Sequence, residues 1–98
     1  MTNNCKIDDE TILQLGLLQV DPLSANPGIC TGRTFAYPNL ENVYIMECDL
    51  YGNDIPADHC FLAFNGHHGL IGKNIKLDKL KQSGKEDIQE MVHSNEEG

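Results

Sequence analysis

The chain contains no tryptophan, and three tyrosines and three phenylalanines are its only aromatic residues. Proteins that bind single-stranded nucleic acid stack its bases on aromatic side chains, so this scarcity argues against that function. The chain also lacks a run of about 18 apolar residues, the shortest that is typical of a membrane-spanning helix. Its first residues, MTNNCKIDDE, have no basic segment before an apolar run, and the sequence therefore predicts no signal peptide.

Positive charge is also scarce, since 7 basic residues stand against 15 acidic ones and give a net charge of −8. Residues 1–72 contain only Lys6 and Arg33 as basic residues, against nine acids. The other five lysines lie within residues 73–85, where Asp78 is the only acid. A negative body repels a phosphate backbone, so we expect no nucleic-acid partner. We interpret the lysines as a solvated helix or strand face. The acidic body favours a basic protein partner or serves solubility alone, which is the commoner explanation.

The four cysteines, at positions 5, 30, 48 and 60, include no C-x-x-C pair. Without an export signal, this spacing predicts reduced structural thiols and a cytoplasmic location. Cys48 and Cys60 would be candidates for zinc only if the strand register placed them on one face. Cys30 lies near Arg33, but no catalytic base is evident beside it. We therefore predict no catalytic residue, no metal and no cofactor.

The length and composition predict one compact domain over residues 1–93, followed by a frayed acidic tail over residues 94–98. Asp8 and Asp9 are N-cap candidates before the apolar run 12–18, which predicts a short N-terminal helix of about three turns. The segment 21–33 is rich in proline and glycine and is typical of a loop. For the C-terminal helix two starts are consistent with the sequence, a capping box at Ser83 with Glu86 or a longer helix over 77–92.

The middle of the chain has the alternation that is typical of strands. The strand predictions are 33–37, 43–50, 59–65 and 71–77, with a β-hairpin across 65–69. In residues 43–50 the alternation assigns Tyr44 and Met46 to one face, and Glu47 and Asp49 to a solvent-facing one. The sequence thus predicts an α+β fold, in which a mostly antiparallel sheet of three to four strands packs against an N-terminal and a C-terminal helix.

These observations favour a small non-enzymatic binding protein over an enzyme. We expect an inhibitor, an immunity protein or a regulatory adaptor that engages a larger protein with a basic surface. Acidic residues of the middle segment and its flanks form the predicted partner-binding face: Glu41, Glu47, Asp49, Asp54 and Asp58.

The alternative function is the binding of a small ligand, either a nucleotide or a phosphorylated metabolite. The loops 28–33 and 65–73 would form this site, and a homo-oligomer interface could complete a pocket that 98 residues hardly enclose. Neither loop matches a Walker loop or a dinucleotide fingerprint. The predicted hydrogen-bond donors to the ligand are Arg33, His67, His68 and Lys73.

Overall fold

The computed structural model describes residues 6–21, 32–66 and 69–96. Within them the chain forms helices at both ends and strands between. The elements in chain order are α1 (Asp9–Leu15), β1 (Leu18–Val20), β2 (Thr34–Ala36), β3 (Val43–Met46), β4 (His59–Gly66), β5 (Gly69–Lys76), α2 (Leu77–Gln82) and α3 (Lys85–Glu96).

The strands form one antiparallel sheet in the order β1-β2-β3-β4-β5, so each strand pairs with its neighbour in sequence. The predicted α+β fold with an antiparallel sheet is confirmed, but the sheet has five strands rather than three or four. The additional strand is β1, which the sequence analysis assigned in part to the N-terminal helix. Gly16 adopts a left-handed backbone with φ 70° and ends α1 after two turns, and this leaves Leu18–Val20 to pair with β2.

The core lies between one face of the sheet and the C-terminal helices. Phe35, Ile45 and Leu62 are adjacent on β2, β3 and β4, and each is at most 1% exposed. Leu80 of α2 and Ile88 of α3 belong to the same buried cluster. Burial of these side chains is the main favourable term for folding, about 1.5–3 kcal/mol for each of them.

The C-terminal helices combine the two predicted alternatives, since α2 begins at Leu77 and a break at Ser83 separates it from α3. The capping box predicted for Ser83 is wrong, because its hydroxyl donates to the carbonyl of Lys79 at 2.6 Å. Asp87 instead accepts from the N–H of Gly84 at 3.1 Å, so one of the two bonds of a capping box forms one residue later, and glycine has no side chain to form the other. α3 extends to Glu96, three residues beyond the predicted domain boundary.

In the part of the chain that the structure describes, every helix is too short or too polar to cross a membrane.

Candidate functional site

Glu47 directly follows β3 on the face of the sheet that carries the core. Continuing the β3–β4 register places it opposite Cys60, and its side chain is 0% exposed. The expectation that Glu47 faces solvent is therefore wrong. Val43 and Ile45 are the core-facing residues of β3, and Glu47 continues their alternation. Met46 is buried too, so both faces of β3 are apolar and the sequence pattern did not distinguish them.

The Glu47 carboxylate binds two other segments of the chain. Oε2 accepts from the N–H groups of Lys6 at 2.8 Å and Ile7 at 3.0 Å, and Oε1 accepts from the N–H of Arg33 at 2.7 Å. The Arg33 guanidinium adds Nε to Oε1 and Nη2 to Oε2, both at 3.1 Å. Its Nη2 also donates to the Ile7 carbonyl at 2.8 Å. We call Lys6, Ile7, Arg33 and Glu47 the Glu47 cluster.

Burial acts to raise the pKa of Glu47, but the hydrogen bonds from Arg33 and Ile7 and the charge of Arg33 outweigh it. The pKa of Glu47 therefore lies below its usual value, and the carboxylate is ionised near neutral pH. Arg33 is further held by Phe35, whose ring centroid lies 5.1 Å from the guanidinium carbon. This arrangement fixes chain segments to one another, and its charges are directed inward.

Cys48 is disulfide-bonded, which corrects the prediction of four reduced thiols. Its Sγ also accepts from the N–H of Gly32 at 3.1 Å. A Cβ at Gly32 would lie 2.8 Å from that sulfur and 2.5 Å from the Cβ of Glu47, so only glycine fits between them. Cys60 is a free thiol, while Cys5 and Cys30 lie outside the described residues.

Cys60 is completely buried, and this burial raises the pKa of its thiol to about 12. The sulfur of Cys48 is committed to a disulfide, so Cys48 and Cys60 do not form a zinc pair. Within residues 6–21, 32–66 and 69–96, no group of three or more histidine, cysteine and acidic side chains is placed to hold a metal ion.

A structured loop over residues 47–58, which we call the acidic loop, connects β3 to β4. Oδ1 of Asp49 accepts from the N–H groups of Tyr51 and Asn53, each at 2.9 Å, and the N–H of Asp49 donates to the Asn53 carbonyl at 3.1 Å. Ile55 packs this loop inward and is 6% exposed. Tyr51 lies in the turn and is 74% exposed. The loop thus presents an aromatic side chain on a hydrogen-bonded backbone.

Four of the predicted partner-binding residues belong to this loop, and one of them, Glu47, is buried in the Glu47 cluster. Asp54 is exposed, and Lys6 Nζ lies 3.5 Å from its Oδ1. Asp58 is exposed at the start of β4, while Asp49 is half-buried. Glu41 is exposed in the turn before β3, so the length of that strand, about 13 Å, separates it from the loop. The predicted acidic face is therefore divided, since Glu47 is buried and Glu41 lies at the other end of β3.

The residues of the predicted small-ligand site are not brought together where the structure describes them. Arg33 precedes β2 and binds Glu47, whereas Lys73 lies in β5 opposite Leu62. Since β3 and β4 separate β2 from β5, about 14 Å lies between β2 and β5. His67 and His68 lie outside the described residues, as do residues 28–31 of the other loop.

Sequence reasoning did not identify Tyr51 as a candidate, although the adjoining Gly52 and Asn53 gave a turn signal that could have indicated an exposed aromatic residue. It also missed the inward role of Arg33, because no local pattern relates residue 33 to residue 47. No protein-family model matches the chain, and neither a curated protein nor a solved structure is detectably similar to it.

Proposed function

We propose that this protein is a small non-enzymatic binding protein whose acidic loop engages a larger protein with a basic surface. The observation that carries the proposal is the 74% exposure of Tyr51 on a loop that the Asp49 side chain fastens. Tyrosine supplies a large apolar contact with a polar end, and it is enriched among the residues that dominate binding energy. Because the loop is already ordered, association loses less conformational entropy there.

The charge of the loop supports the choice of partner. Asp49, Asp54 and Asp58 lie within ten residues of one another, and Lys6 forms an ion pair with one of them. Such a patch attracts a basic surface over several ångströms, which mainly raises the association rate. An inhibitor, an immunity protein and a regulatory adaptor all bind in this manner, and the proposal covers these three classes.

The first experiment identifies the partner. The photoreactive residue p-benzoylphenylalanine replaces Tyr51 in one variant and Leu13 in the control variant, since Leu13 is an apolar residue of α1 that is 82% exposed. After irradiation in cells, we expect a protein to be cross-linked from position 51 and not from position 13. Cross-linking of the same proteins from both positions would contradict a specific loop interaction.

The second experiment measures binding of the recovered partner. Asp54→Lys and Asp58→Lys should slow association about tenfold at low salt and weaken its salt dependence. Glu90→Lys on α3 is the matched control, because it changes the net charge equally at another exposed position. Tyr51→Ala should instead accelerate dissociation, by about 30-fold if it costs about 2 kcal/mol. Equal effects of Asp54→Lys and Glu90→Lys would show that net charge alone matters.

The location of the protein and the small-ligand alternative stay predictions. The cytoplasmic prediction depended on the absence of an export signal and on reduced thiols. The disulfide at Cys48 argues against the second ground, because disulfides persist mainly in oxidising compartments. Fractionation of cells that express the untagged chain tests the location.

No contact between the described residues supports the alternative ligand site, because the guanidinium of Arg33 donates to the Glu47 carboxylate.

A further inference from the structure

β5 is the last strand of the sheet in the described part of the chain, and its outer edge faces away from β4. In an antiparallel pair, every second residue directs its N–H and C=O groups away from the partner strand. Seven of the eight residues of β5 are exposed or half-buried, and Ile75 alone is buried. The edge is therefore long and accessible to another strand.

The register identifies which amides point outward. Gly66 and Gly69 pair across a two-residue connection, a spacing at which the closing pair exchanges both of its hydrogen bonds. Hydrogen-bonded and non-hydrogen-bonded pairs then alternate along the hairpin. Asn74 lies opposite Phe61 in a non-hydrogen-bonded pair, so its N–H points to the open edge.

This edge is the basic part of an acidic molecule. Lys73 and Lys76 lie on β5, Lys79 and Lys81 follow on α2, and Asp78 is the only acid within residues 73–85. Lysines on an edge strand disfavour pairing with a second copy, because a β5–β5 contact would bring the lysines of both copies side by side. These lysines attract an acidic strand, and acids of the chain also lie beside them: Asp58 shares a cleft with Lys76, and Asp87 and Glu90 of α3 share one with Lys73.

We infer that the outer edge of β5 binds an extended acidic segment of a partner protein by β-strand addition. The main-chain groups of the edge supply the hydrogen bonds, and the lysines select acidic side chains. Lys73 and Lys76 are three residues apart on one strand, so their side chains lie on opposite faces of the sheet. The bound segment therefore needs acidic residues on both of its faces. This surface adjoins the end of the acidic loop, because the carbonyl of Asp58 accepts from the N–H of Leu77 at 2.8 Å. The peptide test does not involve the partner proposed for the loop, so the two proposals can fail separately.

The test uses fluorescein-labelled peptides and fluorescence anisotropy with the full chain. The probe VEEVEEV should bind, and its affinity should fall about tenfold in VEEPEEV, which keeps every charge but lacks the central N–H. The lysine peptide VKKVKKV should not bind. Equal affinity for VEEVEEV and VEEPEEV would overturn strand addition, because only charge would then be recognised.

Variants of the chain complete the test. Asn74→Pro removes the outward N–H, a change that an edge strand tolerates, and it should abolish binding of VEEVEEV. Lys76→Glu should weaken binding about tenfold, while the exposed Lys85→Glu on α3 changes the net charge equally and should have a smaller effect. If Asn74→Pro fails to fold, the comparison of Lys76→Glu with Lys85→Glu still tests the inference. Unchanged binding by Asn74→Pro, or a concentration-dependent dimer that this variant dissolves, would overturn the inference.

Discussion

Glu47 is a charged residue completely buried at the end of a small sheet, and a carboxylate in that position needs partners for its charge and its lone pairs. Three backbone N–H groups and one guanidinium supply them. Because these donors come from residues 6–7 and 33, the single side chain joins two distant segments to the end of β3. The acid that the sequence assigned to partner binding is thus a structural residue.

At the scale of this single residue, we predict that Glu47→Gln lowers the free energy of unfolding by about 2–3 kcal/mol. The amide nitrogen of glutamine would face N–H donors, and the charge of Arg33 would lose its partner. Arg33 is 26% exposed at its side chain, so the loss is smaller than for a fully buried pair. Urea unfolding measures the change, and Asp54→Asn, at an exposed carboxylate, should cost about 0.5 kcal/mol or less. Similar losses in the two variants would contradict the structural role of Glu47.

The same residue makes stability depend on pH. The pKa of Glu47 is lowered in the folded state, whereas the pKa of a glutamate in an unfolded chain is about 4.3. The contribution of Glu47 to the free energy of unfolding is therefore complete above its pKa in the unfolded chain, and it is lost as the pH falls toward its pKa in the folded protein. We expect the wild type to lose more stability than Glu47→Gln between about pH 5 and pH 3. Parallel stability curves for the two proteins would show that another group carries the acid sensitivity.

At the scale of an element, the acidic loop depends on one side chain for its order. Asp49→Ala removes the acceptor for the N–H groups of Tyr51 and Asn53. We predict that the hydrogen exchange of these two amides becomes about tenfold faster, as expected for the loss of about 1.4 kcal/mol of local stability. Asp49→Asn keeps a carbonyl oxygen in place and should retain most of the protection. Equal exchange in both variants would mean that the charge, and not the hydrogen bonds, orders the loop.

The elements also show how far the sequence determines this fold. The β4–β5 hairpin was predictable, because residues 59–65 are apolar and Asn65-Gly66 signals a turn. β1 was not, because the apolar run that includes Leu17 and Leu18 fits a helix until the backbone of Gly16 ends it. The burial of Glu47 was not predictable either, since it depends on an arginine 14 residues away and on the backbone of residues 6–7. Local patterns identify elements, whereas the tertiary contacts decide which face each one buries.

At the scale of the whole molecule, charge is unevenly distributed around the sheet. The acidic loop connects β3 to β4, and the basic residues lie on the edge strand β5 and on α2. A partner that contacts the acidic loop therefore meets a different potential from one that contacts the β5 edge. The two proposed surfaces can therefore select different partners, but they meet where Asp58 and Lys76 line one cleft, so a charge change at either of these residues alters the potential of both surfaces.

The Cys48 disulfide leads to a prediction for the whole chain. Reduction with dithiothreitol should lower the free energy of unfolding by about 2–4 kcal/mol, because the cross-link limits the freedom of the unfolded chain. Cys48→Ser should have a similarly lowered stability that dithiothreitol no longer changes. If dithiothreitol lowers the stability of Cys48→Ser as much as that of the wild type, the disulfide is not the group responsible.

Alkylation then relates this bond to the compartment of the cell. With a cell-permeant maleimide added at harvest, Cys48 should stay unmodified if the protein resides in an oxidising compartment. Cys60 is the internal control, because its burial and a thiol pKa of about 12 should keep it unmodified until the chain is unfolded. Mass spectrometry of peptides labelled before and after unfolding distinguishes the two sites. Cys48 is only 6% exposed, so the decisive label is the one added after unfolding without a reductant. Labelling of Cys48 at that step would show that the thiol is reduced in cells, and the cytoplasmic location would regain its support.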